Sequence, residues 1–380
     1  MNPIPAVTEL DALGALEAPL STNNGESLAI SPLAAHPHLL LKRYRTGPAP
    51  ADVERLDRLI ALPADLVPDD RRTLATATCW PTARVVSGGA TVGCVIPRAP
   101  AKFFTHLRGP QAPAVPLEID WVSAGAHRRQ RLGLPALDLP HRLRISANLL
   151  AVAALFERHD LVYADWSYAN ALWSARDGDV FVIDTDSCAT GSRAAVKTAN
   201  FDDPVPRPDA LVDGDTDRYR VALLVARCLT GERDYTAVLG GLDRLPSGIR
   251  VLLDQTLTAA RREDRAKIAD LWPTVEAAAA VTPPTSWRPA TTPIPPPARP
   301  RATPVRPRAT PVRPTAAAPA RVPAAAPPGS NVVGWTALPG RPAPAAAARP
   351  ARPRRARWTA VAVGAALLLI VFVLIAAGGF

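Results

Sequence analysis

Two stretches in the middle of the chain decide its fold: residues 161–173 read LVYADWSYANALW and residues 180–187 read VFVIDTDS. An apolar run opens each stretch, so the polar residues are expected in loops that border short strands. Asp165 can accept a proton from a substrate hydroxyl. Asn170 and Asp184 offer amide and carboxylate oxygens, which are the ligands that Mg²⁺ prefers. The spacing of these three residues favours phosphoryl transfer.

A lysine upstream of these loops fits the same chemistry. Lys42 ends the apolar run Leu39–Leu41, and a lysine in this position can bind the α- and β-phosphates of a nucleotide. Its ammonium group needs a carboxylate on a neighbouring helix to orient it. The helix predicted from Ala51 to Leu62 offers Glu54 and Asp57, and the longer reach of Glu54 favours Glu54. The sequence therefore predicts binding of ATP and Mg²⁺.

Hydrophobic periodicity predicts strands in the first hundred residues and mainly helices in the rest. The predicted strands are Leu28–Ile30, Leu39–Tyr44, Ala83–Val86, Thr91–Ile96, Ala171–Trp173 and Val180–Ile183. The predicted helices are Ala51–Leu62, Leu139–Arg158, Asp217–Leu229, Ile249–Leu257 and Arg265–Ala278. This order predicts an α+β fold with a β-rich N-terminal lobe and a helical C-terminal lobe.

Taken together, residues 20–275 resemble the bilobal protein-kinase-like fold. More closely, they resemble a bacterial kinase-like family whose metal motif reads Asp-Thr-Asp-Ser, as residues 184–187 do here. Residues 79–82 and 92–98 are similar to the fourth and fifth strands of that fold, which lead into the hinge. The resemblance implies that the backbone of Val95, Ile96 and Arg98 binds adenine.

The resemblance also implies structural roles in the C-terminal lobe. Residues 215–222 resemble the start of its large helix, whose aspartate, here Asp217, binds the backbone of the catalytic loop. Asp217 by itself would more often cap a helix N-terminus. Residues 261–265, with Ile268 and Leu271, resemble the late arginine motif, in which Arg265 is structural.

Three features depart from the family pattern. The loop expected to cover the phosphates, between Leu20 and Leu28, contains one glycine, Gly25, where several are usual. Ser167 stands where eukaryotic-type Ser/Thr kinases carry a lysine, and the loss of that charge predicts slower transfer. Residues 202–209 match the activation-segment anchor of kinases poorly.

Three functions are therefore open. The first is a signalling kinase that transfers the γ-phosphate of ATP to Ser or Thr of a protein substrate. The second is a pseudokinase that senses nucleotide or acts as a scaffold, which the single loop glycine and Ser167 favour. The third is a small-molecule phosphotransferase of the aminoglycoside-kinase type. The helix start at Asp217, the hinge-like residues 95–98 and the predicted membrane anchor argue against the third.

The charge of the chain argues against nucleic acid as a partner. Its formal net charge is +10, but 13 of the 44 basic residues lie at 282–357, where no acidic residue occurs. Residues 1–281 keep 31 basic against 34 acidic side chains, so the folded region has no excess positive charge for phosphates. The four cysteines are far apart in sequence, which predicts buried thiols and excludes a disulfide scaffold.

The C-terminal hundred residues predict a tether and an anchor. Residues 282–357 contain 21 of the 43 prolines, which predicts a disordered linker with polyproline II character. The linker is expected to act as a spacer, and its P-x-x-P motifs also fit the groove of a proline-rich-motif-binding partner. The uncharged stretch from Thr359 to Ala377 is long enough to cross a bilayer. With the arginines that precede it, the span at 358–377 predicts a single-pass protein of the plasma membrane whose N-terminal domain, residues 1–281, is cytoplasmic.

Overall fold

The computed structural model describes residues 4–107, 111, 113–194 and 198–284 of the 380-residue chain. The N-terminal part is built on a β-sheet and the C-terminal part is mainly helical, which confirms the predicted α+β class. The predicted linker beyond residue 284 and the predicted span at 358–377 lie outside the described residues. Within the described ranges, no helix has the length and apolar character needed to cross a membrane.

The described residues contain fourteen strands and eight α-helices. The strands are β1 (Val7–Glu9), β2 (Ser21–Asn24), β3 (Ser27–Leu33), β4 (His36–Tyr44), β5 (Ala83–Ser87), β6 (Ala90–Pro97), β7 (Phe104–His106), β8 (Ala114–Pro116), β9 (Leu161–Val162), β10 (Ala171–Trp173), β11 (Val180–Val182), β12 (Ala189–Thr190), β13 (Ser192–Ala194) and β14 (Leu211–Asp213). The helices are α1 (Pro50–Ala61), α2 (Pro68–Ala77), α3 (Ala126–Arg131), α4 (Leu139–Arg158), α5 (Gly214–Thr230), α6 (Tyr235–Gly241), α7 (Ser247–Thr258) and α8 (Ile268–Val281).

The N-terminal sheet has six strands in the order β1-β5-β6-β4-β3-β2. Strand β1 is parallel to β5, and the other neighbours are antiparallel. The turn between β5 and β6 consists of Gly88 and Gly89, whose φ angles are +56° and +78°. A two-residue hairpin turn of type I′ requires positive φ at both positions, so the glycines allow the hairpin that the sequence predicts.

Strand β4 lies inside this sheet and carries Lys42. Its register places Lys42 opposite Ile30 on β3 and opposite Cys94 on β6. Because β4 is paired on both sides, the backbone of Lys42 is held in a rigid frame. Gly93, the residue before Cys94 on β6, approaches so closely that a Cβ atom there would lie 2.2 Å from the carbonyl oxygen of Lys42.

Two helices connect β4 to β5, where the sequence predicts one. Helix α1 matches the predicted helix, and it contacts β5 and the short 3₁₀ turn at Thr185–Ser187. Helix α2 packs instead on α4 and β11. Only Asp70 and Leu74 are buried in α2, so its sequence has no apolar stripe from which a helix could be predicted.

The C-terminal part is organised around α4 and α5. Helix α4 has the predicted bounds, and 12 of its 20 residues are buried because neighbours cover most of its surface. Helix α8 lies along α4, and α7 packs against α5. The core continues to the strands β10 and β11, which form a separate two-stranded sheet. This core supports the two loops that border those strands.

The four cysteines are buried and form no disulfide, as predicted. Burial raises the pKa of the Cys79 thiol to about 11 and that of the Cys228 thiol to about 12. Both therefore stay protonated at neutral pH, which makes them poor nucleophiles. Within the described ranges, no group of three or more His, Cys, Asp and Glu side chains is arranged to hold a metal ion.

Candidate active site

The loop between β9 and β10 contains Asp165 and Asn170, and helix α5 holds it in place. The carboxylate of Asp217 accepts hydrogen bonds from the backbone amides of Tyr163 at 2.7 Å and Ala164 at 2.9 Å. The N-cap of α5 is Asp213, whose side chain accepts from the amide of Thr216. Asp217 is thereby available to bind the loop backbone instead of capping its own helix.

The backbone of this loop adopts one left-handed residue before Asp165. Ala164 has φ of +64°, a conformation that costs about 1 kcal/mol or more for a residue other than glycine. Arg220 of α5 donates to the carbonyl of Ala164, which fixes the strained peptide from the other side. The side chains of Tyr163 and Trp166 are fully buried beneath it. These contacts hold the loop backbone beside Asp165 in one conformation.

Asp165 has a hydrogen bond on each carboxylate oxygen. Thr198 donates to Oδ1 at 2.8 Å, and the Nδ2 atom of Asn170 donates to Oδ2 at 2.6 Å. Burial raises the pKa of Asp165 above its usual value, and the nearby charge of Asp184 adds to this, although both hydrogen bonds oppose it. A carboxylate that is held in one orientation and has a raised pKa suits a group that accepts a proton.

Asp184 follows β11 in a left-handed conformation, with φ of +62° and ψ of +35°. Its side chain is 50% exposed, whereas its neighbours Thr185 and Asp186 are buried. Because Nδ2 of Asn170 faces Asp165, the Oδ1 atom of Asn170 is the one available to a cation. Asp184 and Asn170 therefore present hard oxygen donors, and this donor set fits Mg²⁺.

Lys42 reaches the loop that follows β11. Its Nζ atom donates to the carboxylate of Asp184 and, at 2.6 Å, to Oδ1 of Asp186. Burial opposes the charge on Lys42, but the two carboxylates outweigh that effect and hold its pKa well above the usual value. The charge of Lys42 in turn lowers the pKa of Asp184. This cluster joins the N-terminal sheet to the C-terminal part of the protein.

The helix carboxylates expected to orient Lys42 lie elsewhere. Glu54 is exposed on α1, because the buried face of that helix carries Leu56 and Leu59. Asp57 accepts a hydrogen bond of 2.6 Å from Nε of Arg84 on β5. Within the described residues, neither carboxylate pairs with Lys42. The predicted contact between Glu54 and Lys42 therefore does not form among the described residues.

The residues expected to bind adenine are engaged in the sheet. Val95 and Ile96 lie in β6 and face Leu41 and Leu40 of β4, and the carbonyl of Val95 accepts from the amide of Thr82 at 2.8 Å. The amide of Arg98 donates to the carbonyl of His38 at 2.8 Å. Val95 and Ile96 lie in the strand predicted over Thr91–Ile96, which in the structure is one residue longer at each end. The carbonyl of Val95 and the amide of Arg98 are therefore already paired within the sheet.

The turn expected to cover the phosphates is the hairpin between β2 and β3. Gly25 and Glu26 form this turn, and Gly25 has φ of +52°, which favours glycine. The carbonyl of Gly25 accepts a hydrogen bond of 3.2 Å from Nε of Arg45. The turn is short and tight, in keeping with its single glycine.

The segment that follows the candidate site is anchored at Asp203. This residue lies within residues 202–209, which by sequence match the activation-segment anchor of kinases poorly. Arg265 donates two hydrogen bonds to Asp203, from Nη1 at 2.8 Å and from Nη2 at 2.6 Å. Arg265 also donates to the carbonyl of Asp215 at the start of α5. Asp203 is the missed residue here, because its partner lies 62 positions away and no local pattern marks it.

Sequence reasoning also missed three side chains that complete the site. Thr198 holds Asp165, and Asp186 holds Lys42. Tyr44 donates from its hydroxyl group to Oδ2 of Asp186 at 3.1 Å. The repeated aspartate of residues 184–187 was the one available signal for Asp186, and the alternation of β4 places Tyr44 on the same face as Lys42.

Comparison with known proteins gave matches among solved structures. No family model matches the chain, and no curated protein matches it. Among solved structures, it is similar to one described as "ROP18 kinase domain in complex with AMP-PNP and sucrose". The two share 16% sequence identity over 70% of this chain and 82% of that chain, with a TM-score of 0.45.

Proposed function

We propose that the chain is an ATP- and Mg²⁺-dependent protein kinase that transfers the γ-phosphate of ATP to a Ser or Thr hydroxyl of a protein. The observation that carries this proposal is the meeting of Lys42 with Asp184 beside Asp165. These residues come from a strand of the N-terminal sheet and from two loops of the C-terminal part. A cation for phosphates, oxygen donors for a metal and a proton acceptor then lie side by side.

Each side chain has a distinct part in the proposed reaction. Lys42 binds the α- and β-phosphates, and Asp165 accepts the proton of the attacking hydroxyl group. Asn170 and Asp184 would hold Mg²⁺, which would supply positive charge against the phosphates of the nucleotide. Asp217 and Arg265 keep the loop and the following segment in place. The serine at position 167 leaves the transferred group with one cation fewer, so slow transfer is expected.

A pseudokinase is the second candidate, and one contact favours it. The ammonium group of Lys42 is bound to Asp184, the carboxylate that a metal ion would need. Nucleotide with Mg²⁺ must therefore compete with an ion pair already in place. A protein in which Mg²⁺ does not displace Lys42 from Asp184 would lack the metal ion that phosphoryl transfer needs, which is the pseudokinase case.

We also propose that the chain is anchored in the plasma membrane by residues 358–377, with the catalytic part in the cytoplasm. The support is the uncharged length of that segment and the five arginines at 349–357 before it. The proline-rich residues 282–357 then serve as a tether between anchor and catalytic part. Their repeated P-x-x-P motifs also suit a partner that binds polyproline II segments.

The test is a transfer assay with the full chain in detergent. Wild type and Asp184→Ala are each incubated with Mg²⁺ and radiolabelled ATP, alone, with a general protein substrate or with an aminoglycoside, and nucleotide binding is measured in parallel. Label on the chain or the substrate, lost in Asp184→Ala, supports the kinase. Tight nucleotide binding without any label supports the pseudokinase. Label transferred only to an aminoglycoside or another small molecule contradicts both.

A further inference from the structure

The ammonium group of Lys42 needs a carboxylate that remains beside it when a metal ion occupies Asp184. In kinase chemistry that carboxylate is expected on the helix after the lysine strand. Here Asp57 of α1 is bound to Arg84 on β5, and Glu54 is exposed. The structure nevertheless supplies a second carboxylate to Lys42, from Asp186.

Asp186 has the geometry of a permanent partner. Its side chain is 5% exposed, as is that of Lys42, whereas the side chain of Asp184 is 50% exposed. Both of its oxygens are used: Oδ1 accepts from Lys42 at 2.6 Å and Oδ2 accepts from Tyr44 at 3.1 Å. Asp184 can therefore turn toward a cation, while Asp186 stays in the interior with the lysine.

The local backbone explains how Asp186 reaches this position. The left-handed conformation of Asp184 starts a 3₁₀ turn over Thr185–Ser187, which directs Asp186 toward β4. Tyr44 stands two residues beyond Lys42 on that strand, so both side chains project from the same face. Removing either member of a buried ion pair leaves the other without compensation, so the pair is expected to stay together.

We propose that Asp186 is the positioning residue of Lys42 in phosphate binding, replacing the carboxylate that a helix would otherwise supply. Tyr44 fixes the second oxygen of Asp186 and so completes the support. The proposal rests on the proposed function, in which Lys42 binds the phosphates. It assigns to the third position of the Asp-Thr-Asp-Ser motif a task separate from that of its first aspartate.

The experiment compares four variants of the full chain: Asp186→Asn, Asp186→Glu, Tyr44→Phe and Glu54→Gln. A matched control, Asp52→Asn, removes a carboxylate of α1 that pairs with Arg55 on the same helix and does not contact Lys42. A fluorescent ATP analogue with Mg²⁺ gives the Kd, and initial rates of transfer at varied ATP give KM and kcat. Circular dichroism and thermal unfolding without nucleotide report whether each variant folds.

For Asp186→Asn we expect the Kd and the KM for ATP to rise about tenfold or more, since a charge-assisted hydrogen bond is lost. Tyr44→Phe should raise both about two- to tenfold, because one neutral donor is lost. Asp186→Glu should raise the Kd and the KM less than Asp186→Asn does, because it keeps a carboxylate. Asp52→Asn should have the Kd and the KM of wild type. A purely structural role would lower kcat through loss of folded protein and leave the Kd unchanged.

Several results would overturn the proposal. One is an Asp186→Asn variant that folds and binds nucleotide like wild type. A second is a larger rise in the Kd for Glu54→Gln than for Asp186→Asn. A third is a return of the Kd of Asp186→Asn to the wild-type value in excess Mg²⁺, which would make Asp186 a metal ligand. If wild type binds nucleotide in an Asp186-dependent way but transfers no phosphate, the kinase function fails and this inference stands. If Asp186→Asn does not fold, the Kd of Tyr44→Phe decides: an unchanged Kd overturns the proposal.

Discussion

Arg265 donates two parallel hydrogen bonds to Asp203, and the two side chains are 1% and 5% exposed. The pair joins the segment after the active site to the turn that precedes α8. Arg262 also reaches Asp203, at 3.1 Å, so the carboxylate is shared between two arginines. A bidentate and buried arginine pair combines geometric specificity with a high cost of disruption.

The first prediction concerns this pair. Asp203→Ala leaves the buried Arg265 without its main partner, and breaking such a pair costs about 3–5 kcal/mol. Urea unfolding of the full chain in detergent, followed by tryptophan fluorescence, measures the free energy of unfolding. The matched control is Asp264→Ala, which breaks an exposed pair with Arg261 and should cost less than about 1 kcal/mol. Equal losses in the two variants would contradict the anchoring role.

A second prediction concerns Gly93. Alanine at this position would place a Cβ atom 2.2 Å from the carbonyl oxygen of Lys42, so β4 and β6 must move apart. Overpacking of this kind costs about 1–3 kcal/mol, and the shift of Lys42 should also weaken nucleotide binding. Gly240→Ala on α6 is the control, since open space surrounds it and alanine favours a helix by about 1 kcal/mol. A Gly93→Ala variant as stable as wild type would refute the close approach.

A third prediction is that the contribution of Asp217 to the free energy of unfolding depends on pH. Burial raises its pKa to about 7 in the folded chain, although the amides of Tyr163 and Ala164 oppose this. In the unfolded chain the pKa is about 4, so between about pH 4 and pH 7 the folded state alone keeps the proton. The contribution of Asp217 to the free energy of unfolding is then greatest below about pH 4 and is lost as the pH rises through about 7.

Urea unfolding at several pH values between 4 and 7 checks this linkage. The stability of wild type relative to Asp217→Asn should decrease as the pH rises, because asparagine does not titrate. A difference that stays constant over this range would show that Asp217 has the same proton affinity in both states. A difference that grows with pH would indicate a lowered pKa instead.

Thr198 offers a test of the proton acceptor. Thr198→Val removes the 2.8 Å hydrogen bond to Oδ1 of Asp165 and frees that carboxylate to rotate. We expect kcat to fall about tenfold while the KM for ATP changes little, because in the proposed reaction Asp165 accepts a proton from the hydroxyl substrate and does not bind the nucleotide. Thr258→Val, at the end of α7, is a remote control. A change in the KM for ATP alone would place Thr198 in nucleotide binding.

The anchor is tested with lipid vesicles. The full chain should stay with vesicles after alkaline carbonate extraction, and a chain ending at Arg357 should be released, because only the former contains the apolar span. Leu369→Arg puts a charge at the centre of that span, at a cost of about 3 kcal/mol, and should weaken insertion. Extraction of the full chain by carbonate would rule out a transmembrane anchor.

Local sequence pattern was sufficient for much of the fold. The bounds of α4 follow from its helical periodicity, and the β5–β6 hairpin follows from two glycines between alternating apolar residues. Helix α2 was not predictable, because burial of Asp70 depends on Arg158 and His159 at the far end of α4. The pairing of the Val95 carbonyl with Thr82 and of the Arg98 amide with His38 was likewise not predictable, because these partners are distant in sequence.

The candidate site divides in the same way. The sequence alone was sufficient to select the side chains that we propose carry chemistry, since Asp165, Asn170 and Asp184 stand at fixed spacing beside two short strands. Only the tertiary structure decided the partners of Lys42, which are Asp184 and, 144 residues away, Asp186, and not Glu54 on the next helix. The physical reason is that an ion pair forms where folding brings two buried charges together. Sequence spacing constrains neighbours within one element, but it does not determine which distant loop reaches a strand.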